Sequence, residues 1–182
     1  MTGRSLQHRT PTVHSVVDSP VGPLTIVAAD GTLSGLYMDQ QRHAPDPSRF
    51  GHREPDCLPE VTDQLRAYFD GNLREFTVPI APCGTAFQHR VWAALCAIPY
   101  GQTTTYGELA AQIGQPTASR AVGLANGRNP VCIIIPCHRV VGANRGLTGY
   151  GGGLDRKQAL LTLERREIMS AAGVVPPHPR RS

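Results

Sequence analysis

A thiol, an imidazole and a guanidinium stand side by side at Cys137, His138 and Arg139. A cysteine attacks well only as thiolate, and an ordinary pKa of about 8.5 leaves little of it ionised at neutral pH. A base or a cation at the sulfur corrects this. Successive side chains along an extended chain point to opposite sides, so sequence order leaves open which neighbour reaches the sulfur. It also leaves open the alternative of a buried structural thiol, a common state of cysteine in intracellular proteins. Pro136 lacks an N–H and biases Ile135 away from helix, which puts Cys137 on a sharply turned, rigid corner. The β-branched run Ile133, Ile134 and Ile135 predicts a short buried strand or extended segment leading into it.

The elements that must hold this corner lie mostly upstream. Residues 12–39 alternate apolar stretches with Ser-Pro, Gly-Pro and Asp-Gly breaks, which predicts two or three antiparallel strands joined by tight turns. Residues 43–59 are polar and proline-rich, a surface loop. In 59–70 the spacing of Val61, Leu65, Tyr68 and Phe69 predicts a helix, with Gly71 as its stop. Leu73–Pro82 reads as a further strand. Thr85 is a helix N-cap for a segment with Phe87, Val91, Leu95 and Ile98 on one face and Trp92 beside it. Thr105 caps a second helix through a box with Glu108. A third helical segment follows Gly114, Gln115 and Pro116. Leu154, Ala159, Leu160 and Leu163 mark a terminal amphipathic helix.

Two short helices joined by a glycine-containing turn form a helix-turn-helix, although such hairpins often do no more than pack. Three features favour nucleic acid here: a net charge of +4, Arg120 at the start of the second helix, and the small residues Ala118, Ala121, Gly123 and Ala125. Small side chains permit close backbone approach, whereas helices that read base edges carry Asn, Gln, Arg or Lys arrays. Asn129 and Pro130 then make an ordinary turn signal before the reactive segment.

Composition narrows the class further. At 182 residues, 40% hydrophobic and 18% charged, the chain can bury one good core or two small ones. A pI of about 9.0 is compatible with a polyanionic partner. No apolar run is long enough to span a membrane and the first residues contain no apolar signal region. Five cysteines without a Cys-x-x-Cys pair argue against a disulfide framework or a cysteine-rich zinc site. A reducing, cytoplasmic location is expected, with no metal and no cofactor. The glycines of GLTGYGGGLDRK lack the strand and Gly-Lys-Ser/Thr context of a phosphate loop. Residues 1–11 and 171–182 read as loose tails.

PCHRV followed by GLTGYGGGLDRK resembles the active-site signature of the O6-alkylguanine-DNA alkyltransferases. The likeness begins near Ser19–Pro23, strengthens over GTAFQHRVWAALCAIPYGQTTTYGELA and runs to Glu164. It implies an α/β N-terminal domain, a small antiparallel sheet with a helix, over residues 12–82. A mostly helical, winged helix-turn-helix-like domain that binds DNA and accepts the alkyl group follows over 83–170. It implies transfer of a methyl or larger alkyl group from O6-alkylguanine in double-stranded DNA to Cys137, once per molecule, by a monomer. Cooperation on DNA and repair of O4-methylthymine stay open.

The residues carry over one by one. Glu164 matches the glutamate that orients the histidine, which makes Cys137, His138 and Glu164 nucleophile, base and orienter. Arg120 matches the arginine that fills the stack when the damaged nucleotide flips out through the minor groove, on a helix surfaced by Ala121 and Gly123. Tyr106 matches the tyrosine that touches phosphate at the flipped nucleotide and assists departure of O6. Asn129 matches a hinge asparagine; Tyr150, Gly151 and Gly152, with the backbone of Val140, match the base pocket. Arg139 has three readings that the sequence does not separate: holding the corner, stabilising thiolate or reaching phosphate. Two rival functions are a Cys-His-Glu hydrolase and a non-catalytic binder of damaged DNA; the first leaves the helix-turn-helix unexplained and the second does not need Cys137.

Overall fold

The computed structural model describes residues 11–171, so the expected tails fall outside the described residues except for Pro11 and Ala171. β1 (Val13–Val17), β2 (Leu24–Ala29) and β3 (Thr32–Met38) form an antiparallel meander. Asp30 and Gly31, both at positive φ (50° and 72°), make the β2–β3 turn. Two such residues give a turn whose twist matches that of the paired strands.

The segment 43–59 is more than a surface loop. A two-residue strand, β4 (His52–Arg53), pairs parallel with β1, giving the sheet order β3-β2-β1-β4. A 3-10 turn at Pro47–Phe50 precedes it, and buried Phe50 stacks on Tyr37 with centroids 5.4 Å apart. One aromatic in a polar stretch was the signal for this. Gly51 is obligatory there: at φ 73°, a Cβ would stand 1.7 Å from the Thr12 carbonyl oxygen.

Helix α1 (Pro59–Phe69) buries Val61, Thr62, Leu65 and Tyr68, and Gly71 at φ 77° ends it as expected. The strand expected over Leu73–Pro82 does not form. Pro79 and Pro82 remove ladder donors, and pairing is reduced to an isolated bridge between Ile80 and Leu33.

The second half is helical. Helix α2 (Ala86–Cys96) starts in a capping box between Thr85 and Gln88 and buries Val91, Trp92, Ala94 and Leu95. Phe87 is only half-buried; Ile98 is buried beyond the helix end. The Trp92 indole N–H donates to the Ala125 carbonyl at 3.0 Å, which ties α2 to the later helical segment that carries Ala125. After β5 (Thr104–Thr105), the Thr105–Glu108 box opens α3 (Tyr106–Gln112). A turn with Gly114 at φ 74° leads to α4 (Ser119–Gly127).

The isoleucine run buries Ile133 and Ile135, with Ile134 half-buried, but is not a strand. Val131 makes a single bridge to Leu36; the chain then turns tightly, with Ile133 at φ 69°. Tertiary position has overridden β propensity. Asn129 spans this turn, its Nδ2 donating to the Ile135 carbonyl (2.8 Å) and its Oδ1 accepting from the Val131 N–H (2.9 Å). A 3-10 turn at Cys137–Arg139 and β6 (Val140–Val141), parallel to β5, complete the corner. Helix α5 (Leu154–Ala171) faces inward with Lys157, Leu160, Leu161 and Glu164. Leu154 and Ala159, expected on the apolar stripe, are exposed.

One apolar cluster joins the two halves, from Leu24 and Leu36 through Leu95 and Leu109 to Ile135 and Leu160. The edge of the sheet also grips the reactive segment directly. The Leu36 N–H donates to the Pro130 carbonyl (2.8 Å), and the Cys132 N–H donates to the Leu36 carbonyl (3.0 Å).

Candidate active site

Cys137 is 5% exposed at the start of its 3-10 turn. His138 and Arg139, adjacent in sequence, both turn to Glu164 on α5. His138 Nε2 lies 2.8 Å from Glu164 Oε1; Arg139 reaches the same carboxylate through Nη2 (2.9 Å) and Nε (3.0 Å to Oε2). Tyr68 donates its hydroxyl to Oε1 at 2.8 Å, and the Gly101 N–H donates to Oε2 at 2.9 Å. Every lone-pair direction of a fully buried carboxylate is used. Burial alone would raise the Glu164 pKa, but the His138 and Arg139 contacts hold it down at about 2. Arg139 also donates to the Ile98 carbonyl at 2.7 Å. Of its three readings, the geometry gives the first: it holds the corner.

The carboxylate also sets the histidine tautomer. With Nε2–H donated to Glu164, Nδ1 carries a lone pair, and it is buried with no hydrogen-bond partner among the described residues. Burial lowers the His138 pKa against the pull of Glu164, so the ring is neutral and Nδ1 is a base. Burial pushes the Cys137 thiol up to about 11, opposed by a hydrogen bond from the Asn129 side chain and by the Lys157 charge. The resting nucleophile is therefore a protected thiol beside a neutral base.

Lys157 is fully buried. Its ammonium donates to the Val140 carbonyl (2.5 Å) and the Thr148 carbonyl (2.7 Å), tying α5 to both the reactive strand and the glycine-rich loop. Burial draws its pKa down to about 8, with Cys137 acting in the opposite sense.

A small cavity of about 10 Å³ borders Cys137, lined also by Gln41, Asn126, Asn129, Cys132, Tyr150 and the loop glycines Gly151 and Gly152. That holds one water at most, so a larger group enters only if the loop moves. The loop is latched from the first half of the chain. The Arg42 N–H donates to the Gly151 carbonyl (2.8 Å), and Arg156 bridges the Asp39 and Gly152 carbonyls (2.6 and 3.2 Å).

On the outer face, Arg120 and Ala121 of α4 are exposed and Gly123 is half-buried. A Cβ on Gly123 would stand 3.7 Å from the Tyr106 ring. The Tyr106 hydroxyl donates to the Gly149 carbonyl at 3.2 Å, and burial raises its pKa. Thus His138, Arg139 and Glu164 meet in one network directly after Cys137 in the chain; Asn129, Tyr150, Gly151 and Gly152 line the cavity with Cys137, the Val140 carbonyl is held by Lys157, and Tyr106 stands between the glycine-rich loop and α4. Sequence reasoning missed Tyr68, Gly101, Lys157, Gln41 and Asn126. Only Lys157 had a legible signal, lying two helical turns before Glu164 on the face that carries Leu160 and Leu161.

Among the described residues no group of three or more His, Cys, Asp or Glu side chains is placed to hold a metal ion, and no helix is long and apolar enough to cross a membrane.

Fold and site define a thiol acceptor built behind a helix-turn-helix. Comparison with known proteins agrees. The family model described as the 6-O-methylguanine DNA methyltransferase DNA binding domain matches residues 86–166, and the ribonuclease-like domain of the same family matches residues 12–82. A methylated-DNA–protein-cysteine methyltransferase of Mycolicibacterium paratuberculosis is 55% identical over 154 residues, 84% of this chain and 92% of the relative. The protein of the same name from Methanosarcina mazei is 48% identical over 156 residues, 85% of this chain and 98% of the relative. The crystal structure of Mycobacterium tuberculosis OGT in complex with DNA superposes with a TM-score of 0.79 at 52% identity, covering 85% of this chain and 94% of that one. The chain belongs to the 6-O-methylguanine DNA methyltransferase family.

Proposed function

We propose that this protein is a methylated-DNA–protein-cysteine methyltransferase that repairs O6-alkylguanine in duplex DNA by moving the alkyl group to Cys137. The observation that carries this reading is a buried thiol beside a histidine whose tautomer is fixed by Glu164, in a pocket walled by the helix-turn-helix. Residues 12–82 act as support and 83–170 as the DNA-binding and acceptor unit. The five free cysteines suit a reducing cytoplasm.

Damage occurs in any sequence, so binding rests on phosphate contacts and on the deformability of the duplex. The α4 helix enters the minor groove, the damaged nucleotide swings out, and Arg120 occupies the gap, offsetting an unstacking cost of roughly a few kcal/mol. Tyr106 exchanges the Gly149 carbonyl for the backbone phosphate and the base, and the glycine-rich loop opens to admit the purine.

Inside the pocket the Cys137 proton passes through a water to His138 Nδ1, and the imidazolium is stabilised by Glu164. Sulfur attacks the alkyl carbon while the carbon–O6 bond breaks. Negative charge developing on the purine is met by a hydrogen bond or proton from Tyr106. The products are guanine in DNA and S-alkylcysteine, a thioether that no group in the site can cleave. Each molecule reacts once.

Stoichiometry tests this reading. Duplex DNA with an isotopically labelled methyl on O6 of guanine, supplied in excess, should load label onto the protein to a plateau of one equivalent. Continued turnover, or binding with no transfer, would refute it.

A further inference from the structure

One donor to the buried Glu164 carboxylate comes from the other half of the chain. His138, Arg139 and Gly101 lie within residues 86–166, whereas Tyr68 lies on α1, within residues 12–82. Its ring is fully buried against Phe69, Phe76 and Tyr100, with centroids 5.3, 5.3 and 6.0 Å away. That packing brings the hydroxyl to Glu164 Oε1, the oxygen that also faces His138 Nε2, each at 2.8 Å. Arg139 Nη2 is a third donor to the same oxygen, at 2.9 Å. Burial and the Glu164 charge keep the phenol protonated, so it serves as a donor.

Resting on the alkyltransferase reading of this site, we propose that Tyr68 is a positioning residue for alkyl transfer: by donating to Oε1 it limits the pull of Glu164 on the imidazole and keeps His138 neutral until the Cys137 proton arrives. A hydrogen bond to an ionised oxygen draws on the charge that would otherwise hold the neighbouring N–H. Without the phenol, Oε1 serves His138 and Arg139 alone, and the imidazolium gains. The other groups around the ring leave the balance to this carboxylate. Arg139 on the same turn and Lys157 on α5 both oppose a charged imidazole, as does burial, and Glu164 alone favours it. Cys137 is held as the neutral thiol. Tyr100 packs on the Tyr68 ring, and its own hydroxyl has no hydrogen-bond partner among the described residues. The N-terminal half therefore contributes a working hydrogen bond to the acid–base machinery in addition to support.

The test is Tyr68→Phe, which keeps the ring and deletes the donor. Oε1 retains two other donors, so no buried group is orphaned and the fold is preserved. The first readout is the His138 titration in the DNA-free protein, followed by NMR of labelled imidazole and assigned by its loss in His138→Gln. It should move up by about one pH unit in Tyr68→Phe. The second is the pH profile of single-turnover methyl transfer from a duplex carrying O6-methylguanine. Its acid limb should move up in step, so that the rate falls by about tenfold below the limb and little above it. Phe76→Leu is the packing control: it loosens the Tyr68 ring but leaves its hydroxyl, and should lower stability to urea while moving neither curve. An unmoved His138 titration in Tyr68→Phe, or an equal movement in Phe76→Leu, overturns the assignment. A wild type that transfers no methyl would instead remove the alkyltransferase reading, while the titration still decides the coupling of Tyr68 to His138 through Glu164.

Discussion

Replacing Glu164 with glutamine should flatten the acid limb of the stability curve. The carboxylate is fully buried, and its partners hold it at about 2 against an ordinary 4.5. A group whose folded pKa is depressed contributes stability that is present above the unfolded value and lost as pH falls through the folded one. At about 1.4 kcal/mol for each tenfold change in proton affinity, Glu164 contributes about 3 kcal/mol, lost between about pH 4.5 and pH 2. Glu164→Gln keeps the shape but leaves the Arg139 guanidinium buried without a counter-charge, a change that costs about 3–5 kcal/mol at neutral pH. It also replaces the charged acceptor of the His138 Nε2–H with a neutral amide that can instead donate to that nitrogen, so the tautomer is no longer fixed, which should slow alkyl transfer by about 10²–10⁴. Urea titrations from pH 7 to pH 2 provide the assay. Wild type and variant should differ by about 3 kcal/mol at neutrality and converge towards pH 2. Parallel curves with a constant offset would refute the charge argument, since they would show that the Glu164→Gln variant loses only packing.

Three further outcomes follow from the same geometry. Lys157→Met removes a charge that lowers the Cys137 pKa, so the pH profile of alkyl transfer should move to higher pH; an unmoved profile contradicts this electrostatic role. Asn129→Ala breaks two buried hydrogen bonds across the 131–135 turn and should cost about 2 kcal/mol in chemical denaturation; no loss would show that the turn is held by other contacts. Gly51→Ala forces a Cβ against the Thr12 carbonyl at a positive φ and should lower the melting temperature by several degrees; an unchanged melting temperature would mean that the β1–β4 pairing is dispensable.

Local rules carried much of this structure. The Asp-Gly hairpin, the Thr85 N-cap, the Thr105 capping box and the Gly71 stop are each decided by a few neighbouring residues, and each forms where its residues predict. The isoleucine run and the segment Leu73–Pro82 failed for opposite reasons. At Ile133 the need to turn a buried chain beside Asn129 overrode β propensity; at Pro79 and Pro82 the missing donors had been visible all along. The chemistry of Cys137 divided in the same manner. A thiol next to His138 and Arg139 was legible, but both neighbours point to Glu164, and that convergence depends on how α5 packs. Tyr68 and Gly101, distant in sequence from Glu164, complete a shell that no local pattern encodes. Asn126 sat in plain view within the recognition helix, yet its exposure to the cavity is a property of the fold alone.

The central claim is that Cys137 itself is the alkyl acceptor. Intact-protein mass spectrometry with peptide mapping, after incubation with a duplex bearing one O6-methylguanine, tests it most directly. The account predicts a gain of one CH₂ on the peptide carrying Cys137 and no gain in Cys137→Ser. An unchanged mass despite tight binding, or the added group on Cys132 or another residue, would contradict it.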